Sequence, residues 1–333
     1  MRIILDAMGG DNAPEAIVRG AVLGICAYDD VEIILTGDRP RIEEILKTLS
    51  YDKDRLTITH TTQVIAMDDS PVKALKEKPD SSMAVALKLL SEGKGEMMIS
   101  AGSTGALVAG ATLIVKRIKG IKRPALAPVL PTRTGEVLLI DAGANTECKP
   151  QYLQQFGVMG SIYMEKVFRI ANPKVGLINN GAEEEKGNEL TKHAYQLLKD
   201  TSVNFVGNAE GRDLLSGDFD VLVCDGFTGN IVLKFVEGCA KTILGMLKGY
   251  IKESTSAKIG AVFMKGAFGK LKKKMDYKEY GGALLLGLTG GVVKTHGSSD
   301  EKVVLNTIRN AREFISGNVV QVIQEEIAKL SAE

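Results

Sequence analysis

Short β-branched runs alternate with longer amphipathic segments through most of this 333-residue chain, and this alternation restricts the fold more than any other feature. Ile3 to Asp6, Val31 to Thr36, Leu56 to Thr59 and Met97 to Ser100 read as buried strands. So do Val137 to Ile140, Val175 to Ile178, Val203 to Val206 and Val221 to Cys224. Pro14 to Tyr28, Arg39 to Leu49, Asp80 to Ser91 and Thr104 to Arg117 carry helical periodicity between them. The pattern predicts an α/β fold with a doubly wound, mostly parallel sheet. Pro124, Pro128 and Pro131 interrupt it and predict irregular structure there.

The last third differs. Ile231 to Ile251 predicts a helix roughly 30 Å long. Its apolar residues spread too far around the circumference for a lone surface helix. Pairing with its mate in a homodimer is one reading, and burial within the chain the other. Ser254 to Met275 follows, with Lys258, Lys265, Lys270, Lys272, Lys273 and Lys274 among Ile259, Val262, Phe263 and Phe268. Asp300 to Phe314 and Asn318 to Leu330 read as closing helices. The expectation is one α/β catalytic domain over residues 1–333, with 229–275 a protruding helical segment.

A formal net charge of +1, no Trp and 5% aromatic residues leave no basic surplus and few stacking platforms, which argues against nucleic acid. Cys26, Cys148, Cys224 and Cys239 form no CxxC pair, so neither a zinc site nor a disulfide framework is predicted. Three of the four are expected to be small core residues. Free thiols and a strand-like opening at Arg2 to Leu5 suggest a cytoplasmic chain. No apolar run reaches the length of about 18 residues that a membrane span needs.

Five strand ends share a polar, glycine-rich character. They are Asp6 to Asp11 (with Gly9 and Gly10), Ser100 to Gly105 (with Ser103 and Thr104), Asp141 to Asn145, Gly207 to Gly211, and Asp225 to Asn230. On one edge of a parallel sheet such turns line a common cleft. The last combines an acid, Gly226, Thr228, Gly229 and an amide ahead of the long helix, a place suited to an anion. Lys186, in Gly181 to Asn188, reads as the counter-charge of a solvated acidic turn or as a point charge for an anion. His296 is a structural hydrogen-bonding residue or a proton donor. No GxGxxG, GxxxxGK[ST] or GxSxG occurs in these places, and the three histidines lack metal-ligand spacing. An anion that is itself the nucleophile fits this inventory.

Asp6 to Asp11 with Pro14, Ser100 to Leu107, and Leu139 to Asn145 resemble the bacterial phosphate acyltransferases of phospholipid synthesis, the PlsX family. Glu183 to Asn188, Gly207 to Gly211, Asp225 to Asn230 and Tyr280 to Gly287 match the same family, in order along nearly the whole chain. Ser103 departs from the Asn of many members, and both side chains hydrogen-bond. The resemblance implies a fold like the isocitrate and isopropylmalate dehydrogenases and phosphotransacetylases, a homodimer, and no metal or nicotinamide cofactor. It implies acyl transfer from acyl carrier protein to inorganic phosphate, giving acyl phosphate. The matched positions assign Lys186 to phosphate, Asn230 with Thr228 and Gly229 to carbonyl or phosphate, and Asp225 to orienting one of these. Asp6, Gly9, Gly10, Asp11, Ser103, Thr104, Gly105, Asp141 and Asn145 would complete the cleft, and His296 stands beside them as a catalytic candidate. A decarboxylating NAD(P)-dependent dehydrogenase of similar fold and a non-catalytic acyl-carrier-binding scaffold are the alternatives.

A lipid-like product, destined for a membrane-bound glycerol-3-phosphate acyltransferase, suggests delivery at the inner face of the cell membrane. Ile259, Val262, Phe263 and Phe268 would enter the interface while the lysines at 265, 270, 272, 273 and 274 meet anionic headgroups. In the other reading the apolar residues pack on the body.

Overall fold

The computed structural model describes residues 1–275 and 280–330, without the side chain of Lys272. The chain opens with β1 (Arg2–Asp6), α1 (Glu15–Ala27), β2 (Glu32–Gly37), α2 (Arg39–Leu46) and β3 (Leu56–His60). Helices α3 (Pro71–Glu77) and α4 (Ser82–Ser91) lead to β4 (Met97–Ser100) and α5 (Thr104–Gly110). Short strands β5 (Ala125–Ala127) and β6 (Val129–Pro131) precede β7 (Glu136–Ile140) and α6 (Pro150–Phe168). Then come β8 (Lys174–Asn179), α7 (Glu189–Lys199), β9 (Asn204–Glu210) and β10 (Val221–Val223). Three consecutive helices follow, α8 (Gly226–Glu253), α9 (Thr255–Phe263) and α10 (Lys265–Met275). The described chain closes with β11 (Ala283–Leu286), β12 (Gly291–Lys294), α11 (Glu301–Ser316) and α12 (Val319–Leu330).

The α/β class and the mostly parallel pairing are as expected, but the strands divide into two sheets. One runs β3-β2-β1-β4-β12-β11-β5 and the other β6-β7-β10-β8-β9. The prolines mark the crossing: β5 pairs with β11 in the first sheet, and β6 pairs with β7 in the second. Pro128 lies between them and its carbonyl accepts from Leu139 N at 3.0 Å. This region is therefore strand pairing that changes sheet, not irregular structure. One buried apolar cluster reaches across both sheets, from Ile3 and Leu5 through Phe156 and Met159 of α6 to Val221 and Val223. Helix α1 lies so close to α11 that a Cβ on Gly24 would sit 2.6 Å from Ile308 Cδ1.

Several predicted boundaries move for local reasons. α4 begins at Ser82 rather than Asp80, because the Asp80 carboxylate is held by Thr62 N and Oγ1 at 2.8 and 2.6 Å while Ser81 caps the helix. The helix expected over Thr104 to Arg117 is α-helical to Gly110 and π-helical over Ala111–Val115. It stops at Lys116, whose φ is +75°. β9 runs through Gly207, Asn208 and Ala209, so those residues belong to a strand and not to the turn after one.

Candidate active site

The loops after β1, β4, β7 and β12 and the start of α8 surround one cavity of about 480 Å³. That is the carboxyl edge of parallel strands, where open α/β folds hold ligands. Of the predicted site residues, Asp11, Thr104, Asn230 and His296 line it.

Most of the others build the loops behind that lining. Asp6 is buried, and Ser100 Oγ donates to its Oδ2 at 2.7 Å while accepting from Gly102 N at 3.0 Å. Burial pushes the Asp6 carboxyl above the usual carboxylate range, opposed by hydrogen bonds from Ser82, Ser100, Met8 and Gly9. A Cβ on Gly9 would lie 2.6 Å from Asp6 Oδ2 and 2.7 Å from Gly102 N, so only glycine lets these two loops meet. Asp11 N donates to Gly297 O at 2.8 Å, and Asn12 Nδ2 to Ser299 O at 3.1 Å, which ties the β1 loop to the loop of His296. Gly10 allows the turn between them at φ +97°. Ser103 caps α5, and Gly105 packs that helix on Pro71.

Asp141 plays the matching part on the second sheet. It is buried and accepts from Leu126 N, Ala144 N, Asn145 N and Asn145 Nδ2 at 2.9, 3.1, 2.6 and 2.9 Å. Burial raises its pKa, against those same bonds. Asn145 O in turn accepts Gly226 N at 2.7 Å.

The segment from Asp225 to Asn230 corrects the sequence reading. It is not a turn ahead of a helix: α8 begins at Gly226, with Asp225 as its N-cap, accepting from Thr228 N at 2.9 Å and Thr228 Oγ1 at 2.8 Å. Two of the N–H groups expected to face an anion are thus occupied, by Asn145 O and by Asp225. Gly226 and Gly229 serve close approach, since a Cβ on Gly226 would stand 2.8 Å from Asp141 Oδ2 and one on Gly229 would overlap the Asp141 carbonyl. This seating turns Asn230 into the cavity wall beside Gly143.

Lys186 is exposed in the loop between β8 and α7 and is not among the lining residues. β8 lies next to β10 in the sheet, so this loop stands one strand further from the cavity. Ser298 N donates to His296 Nδ1 at 3.2 Å, so the proton of the neutral ring sits on Nε2.

Residues that sequence reasoning did not assign also line the cavity, among them the polar Lys234, Glu237, Lys294 and Thr295 and the apolar Leu126, Val129, Leu130 and Leu233. Burial raises the Glu237 pKa, opposed by His296 and Lys234. Burial lowers Lys294 to about 8, opposed by Asp6 and Asp11. The available signal was a lysine directly after the β-branched pair Val292 and Val293, two residues before His296. Among the described residues no group of three His, Cys, Asp or Glu is placed to hold a metal ion. Cys224 is buried, but Cys26 is exposed and Cys148 and Cys239 are half-buried, so one cysteine is a core residue where three were expected. Burial raises Cys224 well above the usual thiol range and pushes Cys148 up to about 12, which leaves neither as a thiolate nucleophile at neutral pH.

The long helix leaves the body after its first three turns, where Val232 and Leu233 still pack on a buried cluster and Glu237 still lines the cavity. In α8 only Gly226 and Gly229 are buried. Ile231, Phe235, Ile243, Met246 and Tyr250 form an exposed stripe at three- and four-residue spacing, joined by half-buried Cys239. At its far end α9 exposes Ile259, Val262 and Phe263, the last two at 72% and 87%. α10 returns toward the body, where Lys274 Nζ donates to Arg133 O at 2.8 Å and Lys270, Lys273 and Lys274 share a cleft with Glu136, Phe168 and Arg309. Those three lysines therefore lie away from the tip to which the sequence reading assigned them, and the Lys272 side chain is outside the described residues. No helix among the described residues is long and apolar enough to cross a membrane.

Residues 1–322 match the family described as fatty acid synthesis protein. The chain is 51% identical to the phosphate acyltransferase of Clostridium perfringens (strain SM101 / Type A), over 99% of this chain and 98% of that protein. It is also 51% identical to the phosphate acyltransferase of Alkaliphilus oremlandii (strain OhILAs), with the same coverage. Among solved structures, a phosphotransacetylase from Streptococcus pyogenes shares the fold at TM-score 0.64 and 18% identity, covering 95% of this chain and 94% of that one. A 4-hydroxythreonine-4-phosphate dehydrogenase from Klebsiella pneumoniae does so at TM-score 0.53 and 12% identity, covering 96% and 98%. The dehydrogenase likeness is one of fold alone, whereas the phosphate acyltransferases match at half identity along their whole length. The chain accordingly belongs to the phosphate acyltransferase family of fatty acid and phospholipid synthesis, and it is an enzyme of that family.

Proposed function

We propose that this enzyme transfers a fatty acyl group from acyl carrier protein to inorganic phosphate. The observation that carries the reading is the mixed lining of one cavity. Leu126, Val129, Leu130 and Leu233 suit an acyl chain, and Asn230, Lys294 and His296 in the same lining suit a phosphate and a reacting carbonyl. A hydrogenphosphate oxygen attacks the thioester carbon, the C–O bond forms, and the C–S bond breaks. The proton of hydrogenphosphate ends on the departing thiol, so the products are acyl phosphate and free carrier protein. The thiolate is a competent leaving group. The protein's work is then to hold phosphate close and stabilise the oxyanion. Asn230 is assigned to the oxyanion and His296 Nε2–H to a second hydrogen bond. Asp225, through Thr228, holds the helix start that aims Asn230. Lys186, one strand further out, is assigned to drawing the anionic reactants toward the cavity.

The apolar stripe on α8 supports a homodimer in which a second copy covers it. Residues 229–275 would then be the assembly and membrane-facing segment of one catalytic unit. Ile259, Val262 and Phe263 would enter an anionic membrane surface, as a peripheral contact at the inner face of the cell membrane. Delivery there would serve a membrane-bound acceptor enzyme.

The test is to mix acyl carrier protein thioester, phosphate and enzyme, then trap acyl phosphate as its hydroxamate with hydroxylamine. Phosphate-dependent hydroxamate is expected, and carrier binding without it would favour a scaffold.

A further inference from the structure

Lys294 ends β12 level with Ser100 of β4. Its Nζ donates to Ala101 O at 3.3 Å and to Thr295 O. An ammonium has three donors, so two anchor it to carbonyls of two loops and one is left for an occupant of the cavity that it lines. A second, independent feature lies on the next residue. Thr295 is buried and lines the same cavity, and its Oγ1 has no hydrogen-bond partner among the described residues. Buried hydroxyls are ordinarily bonded, so a bare one in a cavity wall marks a place for a ligand's polar atom.

We infer that Lys294 and Thr295 are the phosphate seat of this enzyme, the ammonium as the fixed charge and the hydroxyl as a second hydrogen-bonding group. This rests on the acyl-transfer reading above. Phosphate seated there is near the carboxyl end of β4, in the same cavity that Asn230 and His296 line. Asp6 and Asp11 are the opposite charges beside Lys294, and His296, Lys234 and Glu237 face the same cavity. Burial brings Lys294 down to about 8, so the seat is charged below that pH and loses its charge as pH rises through it.

The experiment is calorimetric titration of the full chain with inorganic phosphate alone, at about pH 7 and about pH 9.5, well to either side of that transition. The parent should bind phosphate roughly 10- to 100-fold more weakly at the higher pH, the scale of one lost charge-assisted hydrogen bond. Lys294→Met should bind that weakly already at the lower pH. Lys294→Arg, whose guanidinium stays charged, should lose no affinity at the higher pH, where the phosphate itself is the full dianion. Thr295→Val should weaken binding by a smaller factor. A folded Lys294→Met that binds phosphate like the parent would overturn the inference. So would a parent affinity that is flat across pH, a result that needs no variant to fold. A parent that binds phosphate with this pH dependence yet forms no acyl phosphate would keep the seat and overturn the acyl-transfer reading instead.

Discussion

The two ends of α8 obey different rules. At its start, Gly226 and Gly229 are pressed against Asn145 and Asp141, and a single added carbon overlaps backbone. Further along, a Cβ at Gly238, Gly245 or Gly249 would meet nothing within 4 Å, and the same holds for Gly260, Gly266 and Gly269 in the next two helices. One helix thus joins a region whose geometry the chain dictates to a region that the chain leaves uncovered. The first is where a reaction can be held in register. The second exposes a row of apolar side chains, the kind of patch that marks an interaction surface.

The largest expected effect falls on the constrained end. Gly229→Ala should lower unfolding stability by about 3 kcal/mol or more, beyond ordinary overpacking, because its neighbour is a carbonyl that cannot rotate away. Equal urea midpoints for variant and parent would show that Asp141 does not fix the helix start. Asn230→Ala lies one residue on but faces the cavity. It should keep the parent's stability and lose on the order of 100-fold in kcat, as for one oxyanion donor. If steady-state rates are unchanged, the cavity assignment fails.

At the uncovered end, Val262→Glu with Phe263→Glu should release the protein from anionic liposomes while turnover of soluble substrates persists. Cosedimentation like the parent's would exclude α9 as the anchor. Lys186→Ala should act more gently, raising KM by no more than about tenfold with kcat nearly intact, as befits a charge outside the cavity. A collapse in kcat would instead bring Lys186 to the reacting atoms. The smallest effect is Gly245→Ala, about 100° around the helix from the centre of the exposed apolar stripe. Removing a helical glycine with no neighbour should raise stability by about 1 kcal/mol. A loss would mean that a second copy approaches there, and sedimentation at micromolar concentration would show whether a dimer exists at all.

Eight of the twelve described strands, several of the helices and the polar strand ends were legible in the sequence because periodicity and turn chemistry are local. What was not legible depends on partners. Val129 to Pro131 and Ala125 to Ala127 are too short to announce strands, and nothing local says that they join different sheets. α6 is buried on several sides, from Leu153 to Val167, so it lacks the single apolar stripe that reveals a helix. Gly226 and Gly229 read as turn residues, yet they are helical residues needed for close packing. Lys294 escaped notice for a similar reason. It became a site residue only when β12, late in the chain, inserted between β4 and β11 and carried it level with Ser100.

The central claim is that phosphate itself attacks the thioester in this cavity, and thiol release from acyl carrier protein tests it most directly. With the nearby cysteines held as thiols by burial, no acyl-enzyme is expected. Release should be absent without phosphate, and should rise with phosphate to saturation in step with acyl phosphate. A burst of thiol stoichiometric with enzyme before phosphate is added would contradict the account, because it would mean that a group on the protein takes the acyl chain first.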